Sequence, residues 1–369
     1  MTSLRDFPVL QFSLNGYIAQ HSRNQFPLRK TTTKSPLEKG VKGVVKPCKK
    51  RKILSSKTIK SDIIDLCPVK AFASIKHTSM KKLLVTGACG FLGWNICQAT
   101  RQTWEITGTA FSHVEAIAGV KITKVDLTDF AALKKLFQTV RPDAVIHTAA
   151  KTSLNFCQAH RSESQKVNVD VSVNIAGLCA DYGIPCVFTS TDMVFDGLNP
   201  PYREEDPVCP VNFYGEQKAL AEEGMMKRHP MTAVCRLSLM FGIPGPGATS
   251  FIQPMIAAMR EGRELQLFTD EFRTPVSADT AASGIFLSLE KVHGPLHIGG
   301  NERISRYEFG AMLMNTLNIS AARLIPSRQK EVIMAAPRPP DVSLDSTKVR
   351  SLGFRPLPLS EEMKKLVTI

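Results

Sequence analysis

An α/β chain built on a parallel sheet is what this sequence predicts, and three observations carry the prediction. Leu83-Leu84-Val85 is a strand-like run that breaks into Thr86-Gly87-Ala88-Cys89-Gly90-Phe91-Leu92-Gly93. From residue 80 onward, short apolar runs alternate with amphipathic segments, which is the rhythm of βαβ units. Ser190-Thr191-Asp192 and Tyr214-Gly215-Glu216-Gln217-Lys218 then follow in that order. Together they predict a Rossmann-type doubly wound parallel sheet with a smaller C-terminal substrate-binding lobe.

Each element follows from its own stretch of chain. Residues 83–86 read as the first strand, and 90–100 as the helix that its glycine turn opens. Residues 105–111 and 121–125 are the second and third strands, 131–139 a helix, and 144–147 the fourth strand. A long helical stretch covers 162–182, and 186–190 is the fifth strand. A helix begins near Tyr214 and runs to about residue 227, and 233–238 is the sixth strand. Past Gly242 the chain is punctuated by Pro and Gly, with shorter helices at 252–260, 306–317 and 360–366. The expected domains are an extension at 1–79, a dinucleotide-type domain at 80–241 and mainly a lobe at 242–369, with returns to the sheet allowed.

The bulk charge is misleading until it is located. The 369 residues carry 47 Lys+Arg against 33 Asp+Glu, a formal net of +14. Residues 1–79 hold 16 of the basic and 4 of the acidic residues, a net of +12; the other 31 and 29 leave only +2. The basicity therefore belongs to the extension, and no nucleic-acid partner is expected for the body. The extension shows no sustained apolar period and is expected to be disordered, with a transit peptide or a non-native start as alternatives. Met80-Lys81-Lys82-Leu83 looks like a natural beginning for the domain. Nine cysteines without a Cys-x-x-Cys pair argue against a disulfide scaffold and against a zinc site, so no metal is expected. No apolar run approaches a membrane span. A cytoplasmic location is expected, or an organelle if 1–79 is a transit peptide.

The glycine loop sets the first chemical expectation. A dinucleotide cradle needs one glycine for a tight turn, one for close approach of the pyrophosphate and one for packing helix on strand. Gly87, Gly90 and Gly93 have that spacing, with Cys89, Phe91 and Leu92 between them, and the next helix points its N-terminal amides at the phosphates. An ordinary glycine turn is the plainer alternative. The second strand ends Phe111-Ser112-His113 without a carboxylate. A 2′-phosphate would meet no repulsion there and Ser112 and His113 could donate to it, so NADP(H) is preferred and NAD(H) admitted. Asp126 and Leu127, after the third strand, are placed for the adenine edge; a helix cap by Asp126 near Phe130 explains that aspartate nearly as well. Ala149 and Ala150, after the fourth strand, are small where the chain must pass a cofactor.

The second expectation is proton transfer. A tyrosine with a pKa of about 10 is a poor acid–base group at neutral pH, and a cation nearby favours its phenolate. Tyr214 and Lys218 stand at i and i+4, so one helix face can carry both. Alone, that spacing describes a core tyrosine and a solvated lysine. Thr191 raises its meaning, because ligands bind at the carboxyl ends of strands in such sheets and its hydroxyl can polarise a carbonyl there.

These residues resemble the extended short-chain dehydrogenase/reductase superfamily over about residues 81–366. Within it the likeness runs to dTDP-4-dehydrorhamnose reductases and to the regulatory beta subunit of methionine adenosyltransferase. Its carriers are the 85–93 loop, Ser190-Thr191-Asp192 with Val194-Phe195-Asp196-Gly197, Tyr202-Arg203-Glu204-Glu205-Asp206, the Tyr214–Lys218 motif, Arg236-Leu237-Ser238 and Arg338-Pro339. The resemblance implies Thr191, Tyr214 and Lys218 as the catalytic set of a reductase acting on a nucleotide-linked 4-keto sugar. A non-catalytic dinucleotide-binding regulatory subunit and a nucleotide-sugar epimerase or dehydratase are the alternatives. Arg273 and Arg338 are candidate clamps for the substrate diphosphate. The chain departs from the reductases at Met193, where they carry Tyr, and at Leu239, where they often carry Trp. A homodimer is compatible with this reading.

Overall fold

The computed structural model describes residues 80–368, so the expected N-terminal extension lies outside the described residues. Seven strands form one sheet: β1 (Lys82–Thr86), β2 (Glu105–Ala110), β3 (Val120–Lys124), β4 (Ala144–His147), β5 (Cys186–Thr191), β6 (Ala233–Leu237) and β7 (Gly294–Ile298). Their order is β7-β6-β5-β4-β1-β2-β3, and every neighbouring pair is parallel. The chain reverses its direction of growth between β1 and β4, which makes that point the crevice where such sheets bind ligands.

Among the described residues, the helices of nine residues or more are α1 (Phe91–Thr100), α2 (Phe130–Val140), α3 (Val171–Tyr182), α4 (Phe213–Arg228), α5 (Ile252–Arg260), α6 (Ala278–Lys291) and α7 (Arg306–Thr316). Alternation along the strands sorts them into two layers. Leu83, Val85, Ile146, Val187 and Cys235 face one layer with Leu92 and Ile96 of α1 and Ala281 and Ile285 of α6. Leu84, Val145, Phe188 and Val234 face the other with Phe137 of α2, Ile175 of α3 and Met225 of α4. Burial on both faces is why these strands read as nearly unbroken apolar runs.

The sequence expectation assigned neither a helix at 278–291 nor a strand at 294–298. Both belong to the sheet layers: α6 starts where the Ser277 hydroxyl accepts from the Thr280 amide and packs through Gly284 close to Ile298. Its small residues, Ala281, Ala282 and Gly284, allow that approach but blur the apolar period. The expected 162–182 helix is interrupted by a π-helical turn, Lys166–Asp170. A separate core gathers Ile252 and Met259 of α5, Phe309 and Leu313 of α7, and Leu359 and Met363 near the end of the chain. Among the described residues no helix is long and apolar enough to cross a membrane.

Candidate active site

The glycine loop has the geometry of a cradle. Gly87 holds φ at +69°, and a β-carbon there would stand 2.9 Å from the backbone of Ala149. A β-carbon on Gly93 would overlap the Gly87 carbonyl, and one on Gly90 would crowd it at 3.2 Å. The loop folds back on itself and against the end of β4 at a distance only glycine allows. Gly90 caps α1 without any side-chain bond, and the first turn carries no acid, so the opening amides of α1 are left to a ligand. These features fit a dinucleotide pyrophosphate. Cys89 exchanges weak hydrogen bonds with the Glu115 backbone at 3.5 and 3.6 Å. Phe91 is half-buried, whereas the Leu92 side chain is buried in the core beside α1, leaving its backbone for any ligand.

The remaining loop residues stand at the same edge. Ser112 and His113 are exposed and bonded to each other, Oγ to Nδ1, at 3.0 Å. Asp126 is exposed and accepts from the Thr128 amide and hydroxyl at 2.9 and 2.7 Å. The alternative of Asp126 as a helix cap is corrected here: Asp129 caps α2, accepting from the amides of Ala131 and Ala132. Leu127 is half-buried against the layer of α2 and α3. Ala149 and Ala150 are half-buried beside Gly87.

Thr191, Tyr214 and Lys218 come together at the end of β5. Asn212 caps α4 by accepting from the Gly215 amide at 2.9 Å, and its Nδ2 donates to the Pro337 carbonyl at 3.1 Å. Tyr214 is buried beside Thr191. The expectation that Lys218 lowers the phenol pKa is not met. Burial pushes the Tyr214 phenol up, Cys157 and Asp192 add to the rise, and the Thr191 hydroxyl opposes it. Lys218 instead donates to the Thr189 carbonyl at 2.6 Å and lies 3.9 Å from the centre of the Phe188 ring. Burial lowers its ammonium pKa to about 7, opposed by Glu222 one helical turn on.

Around them stands a second ring, of which the sequence expectation held Asp192, Ser238, Arg273 and Arg338 but missed Glu271, Arg306 and Asn168. The Asp192 carboxyl accepts from the Thr191 hydroxyl at 3.3 Å and the Ser238 hydroxyl at 3.2 Å, with Arg273 at 3.6 Å. Burial raises its pKa to about 6, and Arg273 pulls the other way. Glu271, itself buried, gathers Arg273, Arg306 and Arg338 at 3.4, 3.3 and 3.7 Å. Of the two predicted clamps, Arg273 is thus committed within the protein, to Asp192, Glu271 and the Phe272 carbonyl at 2.7 Å. The Arg338 side chain is 23% exposed, and the Nη1 of Arg306 is buried without a hydrogen-bond partner. Asn168, in the π-helical turn, holds the Lys151 backbone by two bonds and donates to Gln217 of α4 at 2.8 Å. A polar residue at a buried helical position was the available signal for Asn168; none marked Glu271.

With this geometry in view, the relatives fall into place. Residues 80–369 match the family described as RmlD substrate binding domain. The methionine adenosyltransferase 2 subunit beta of Xenopus laevis is 28% identical over 283 residues, covering 74% of this chain and 83% of that protein. A hypothetical dTDP-4-dehydrorhamnose reductase from Sulfolobus tokodaii is 30% identical, with a TM-score of 0.65, 75% of this chain and 98% of that one covered. The fold is shared with dTDP-4-dehydrorhamnose reductase from Bacillus anthracis, solved in complex with NADP, at a TM-score of 0.70 and 23% identity, covering 79% of this chain and 99% of that one. The chain therefore belongs to the RmlD substrate-binding-domain family, within the extended short-chain dehydrogenases/reductases.

Proposed function

We propose that the protein is an NADPH-dependent reductase of a nucleotide-linked 4-keto sugar, similar to dTDP-4-dehydrorhamnose reductase. The observation that carries this reading is the meeting of Thr191, Tyr214 and Lys218 at the carboxyl end of β5, across the switch point from the Gly87–Gly93 cradle. Gly87, Gly90, Gly93 and the open amides of α1 would hold the pyrophosphate, with Ser112 and His113 toward the 2′-phosphate and Asp126 and Leu127 toward the adenine. Bound there, the dinucleotide would supply the hydride.

The chain's own part is the proton. Thr191 and Tyr214 would grip the carbonyl oxygen, and Tyr214 would give it its phenolic proton. A phenol pushed up by burial stays protonated at neutral pH, which is the form a reduction consumes. Lys218 would then serve the ribose and steady the phenolate once it forms. Arg338, and with it Arg306, would receive the diphosphate, while Arg273 holds Asp192.

A second reading, a dinucleotide-binding regulatory subunit, is favoured by the 28% identity to methionine adenosyltransferase 2 subunit beta. NADPH consumption separates the two. Purified protein with dTDP-4-dehydrorhamnose and related keto sugars should consume NADPH in proportion to sugar reduced. No consumption with any of them, while NADPH still binds, favours the regulatory reading.

A further inference from the structure

We infer that His147 is a positioning residue, which ties the dinucleotide loop to helix α4 through one directed chain of buried hydrogen bonds. This rests on the dinucleotide reading of the Gly87–Gly93 loop. His147 ends β4 and is wholly buried, a setting in which apolar side chains are the rule. What a hydrocarbon lacks is hydrogen bonding, and the bonds here have a forced direction. The Thr86 hydroxyl accepts the amides of Thr148 and Ala149 at 3.2 and 3.3 Å. Its own proton is therefore left for His147 Nδ1, 2.6 Å away. Nδ1 is then the bare nitrogen, and Nε2 carries the proton and donates to the Ser172 hydroxyl at 3.0 Å. Ser172 passes the direction on, donating to the Asn168 carbonyl at 2.7 Å. The Asn168 side chain donates to Gln217, which stands between Tyr214 and Lys218 on α4.

Both ends of the chain matter for a ligand. Thr86 immediately precedes Gly87, and the amide it holds belongs to Ala149, the residue that leaves Gly87 no room for a side chain. Gln217 is anchored further by Ser164 at 2.7 Å and the Arg161 carbonyl at 3.2 Å. Burial, reinforced by the Lys218 ammonium, holds the imidazole pKa down to about 3, so one neutral tautomer persists through the physiological range. The Phe188 ring stacks on it at 5.7 Å, and the Thr189 hydroxyl donates to its carbonyl at 3.0 Å. A charged or differently protonated ring would reverse the Thr86 hydroxyl and loosen the Ala149 amide.

The experiment uses the full chain and reads NADPH binding by fluorescence titration, so it needs no sugar substrate. His147→Leu removes both bonds, and His147→Asn keeps an acceptor within reach of Thr86. His147→Leu is expected to weaken binding roughly tenfold, as losing a buried hydrogen-bond partner does, and His147→Asn to recover most of it. Thr86→Val removes the same bond from the other side, stands in if His147→Leu does not fold, and should weaken binding to a similar degree. Combined with His147→Leu it should add little, because both delete one link. Unchanged binding in His147→Leu, equal losses in the Leu and Asn variants, unchanged binding in Thr86→Val, or additive losses in the double variant would overturn the inference. If the wild type itself binds neither NADPH nor NADH, the dinucleotide reading fails and the inference falls with it.

Discussion

Gly215 lies so close to Met193 that a β-carbon on it would overlap the Met193 carbonyl oxygen. Helix α4 therefore meets the turn after β5 backbone to backbone, and this contact sets Tyr214 beside Thr191. Gly215→Ala should force the helix outward, costing about 1–3 kcal/mol as overpacking does. Turnover should fall further than cofactor affinity, since the cradle is built from other elements. Urea unfolding and steady-state kinetics on the same preparation measure both; a variant with wild-type stability and rate would show that the contact yields freely.

Tyr214→Phe keeps the ring and removes only the proton. Turnover should drop roughly 10²–10⁴-fold, the usual worth of a positioned acid. NADPH affinity should stay within a few-fold, because the proposed phosphate cradle at Gly87–Gly93 is left untouched. A kcat near that of the wild type would assign the proton to another group.

The depressed pKa of Lys218, about 7, makes two pH predictions with definite signs. The folded protein binds fewer protons than the unfolded chain between about 7 and the usual lysine value of about 10.4, so this group makes stability rise with pH across that window. Its penalty is fully present below pH 7. Cofactor affinity should run the other way, weakening as pH climbs past about 7 and the ammonium discharges. Lys218→Met should flatten both trends, which thermal melts and NADPH titrations from pH 6 to 9 would reveal as a loss of slope.

Glu222 and Arg236 form a buried pair at 2.8 Å, and the Ser190 hydroxyl also donates to Glu222, at 2.5 Å. Removing one partner strands the other, so Glu222→Ala should cost about 3–5 kcal/mol of unfolding free energy. Glu222→Gln, which keeps acceptor oxygen for Ser190, should cost less. Denaturant midpoints rank the two; an Ala variant as stable as Gln would mean that the lost charge accounts for the whole cost and that side-chain volume and the Ser190 bond add nothing.

Ser112 is exposed at the end of β2, where a carboxylate would accept ribose hydroxyls and repel a 2′-phosphate. The wild type should bind NADPH at least as tightly as NADH, and Ser112→Asp should shift the preference toward NADH. Calorimetric titration of both cofactors against both proteins checks it. A wild type that already favours NADH roughly tenfold would remove Ser112 and His113 from the cofactor site.

The sequence determined what is local. Gly87, Gly90 and Gly93 declare a turn and a helix start within a few residues, Thr191 stands at the end of its strand, and Tyr214 and Lys218 share a helix face through i,i+4 spacing alone. Such features need no knowledge of distant chain, and the alternation of Leu83, Leu84 and Val85 between the two layers follows from the same short-range periodicity. Only the tertiary structure decided what surrounds them. Arg306 and Arg338 reach Glu271 and its neighbour Arg273 from separate segments of the C-terminal region, so no spacing announces the cluster. The direction of the Tyr214 shift was hidden for the same reason. Proximity to Lys218 argued for a lower pKa, but desolvation depends on everything packed over the phenol, and burial, with Cys157 and Asp192, sets the direction. Helix α6 and strand β7 joined the sheet because the exposed flank of β6 needed covering, a demand set by the assembled layer and by no residue within 278–298.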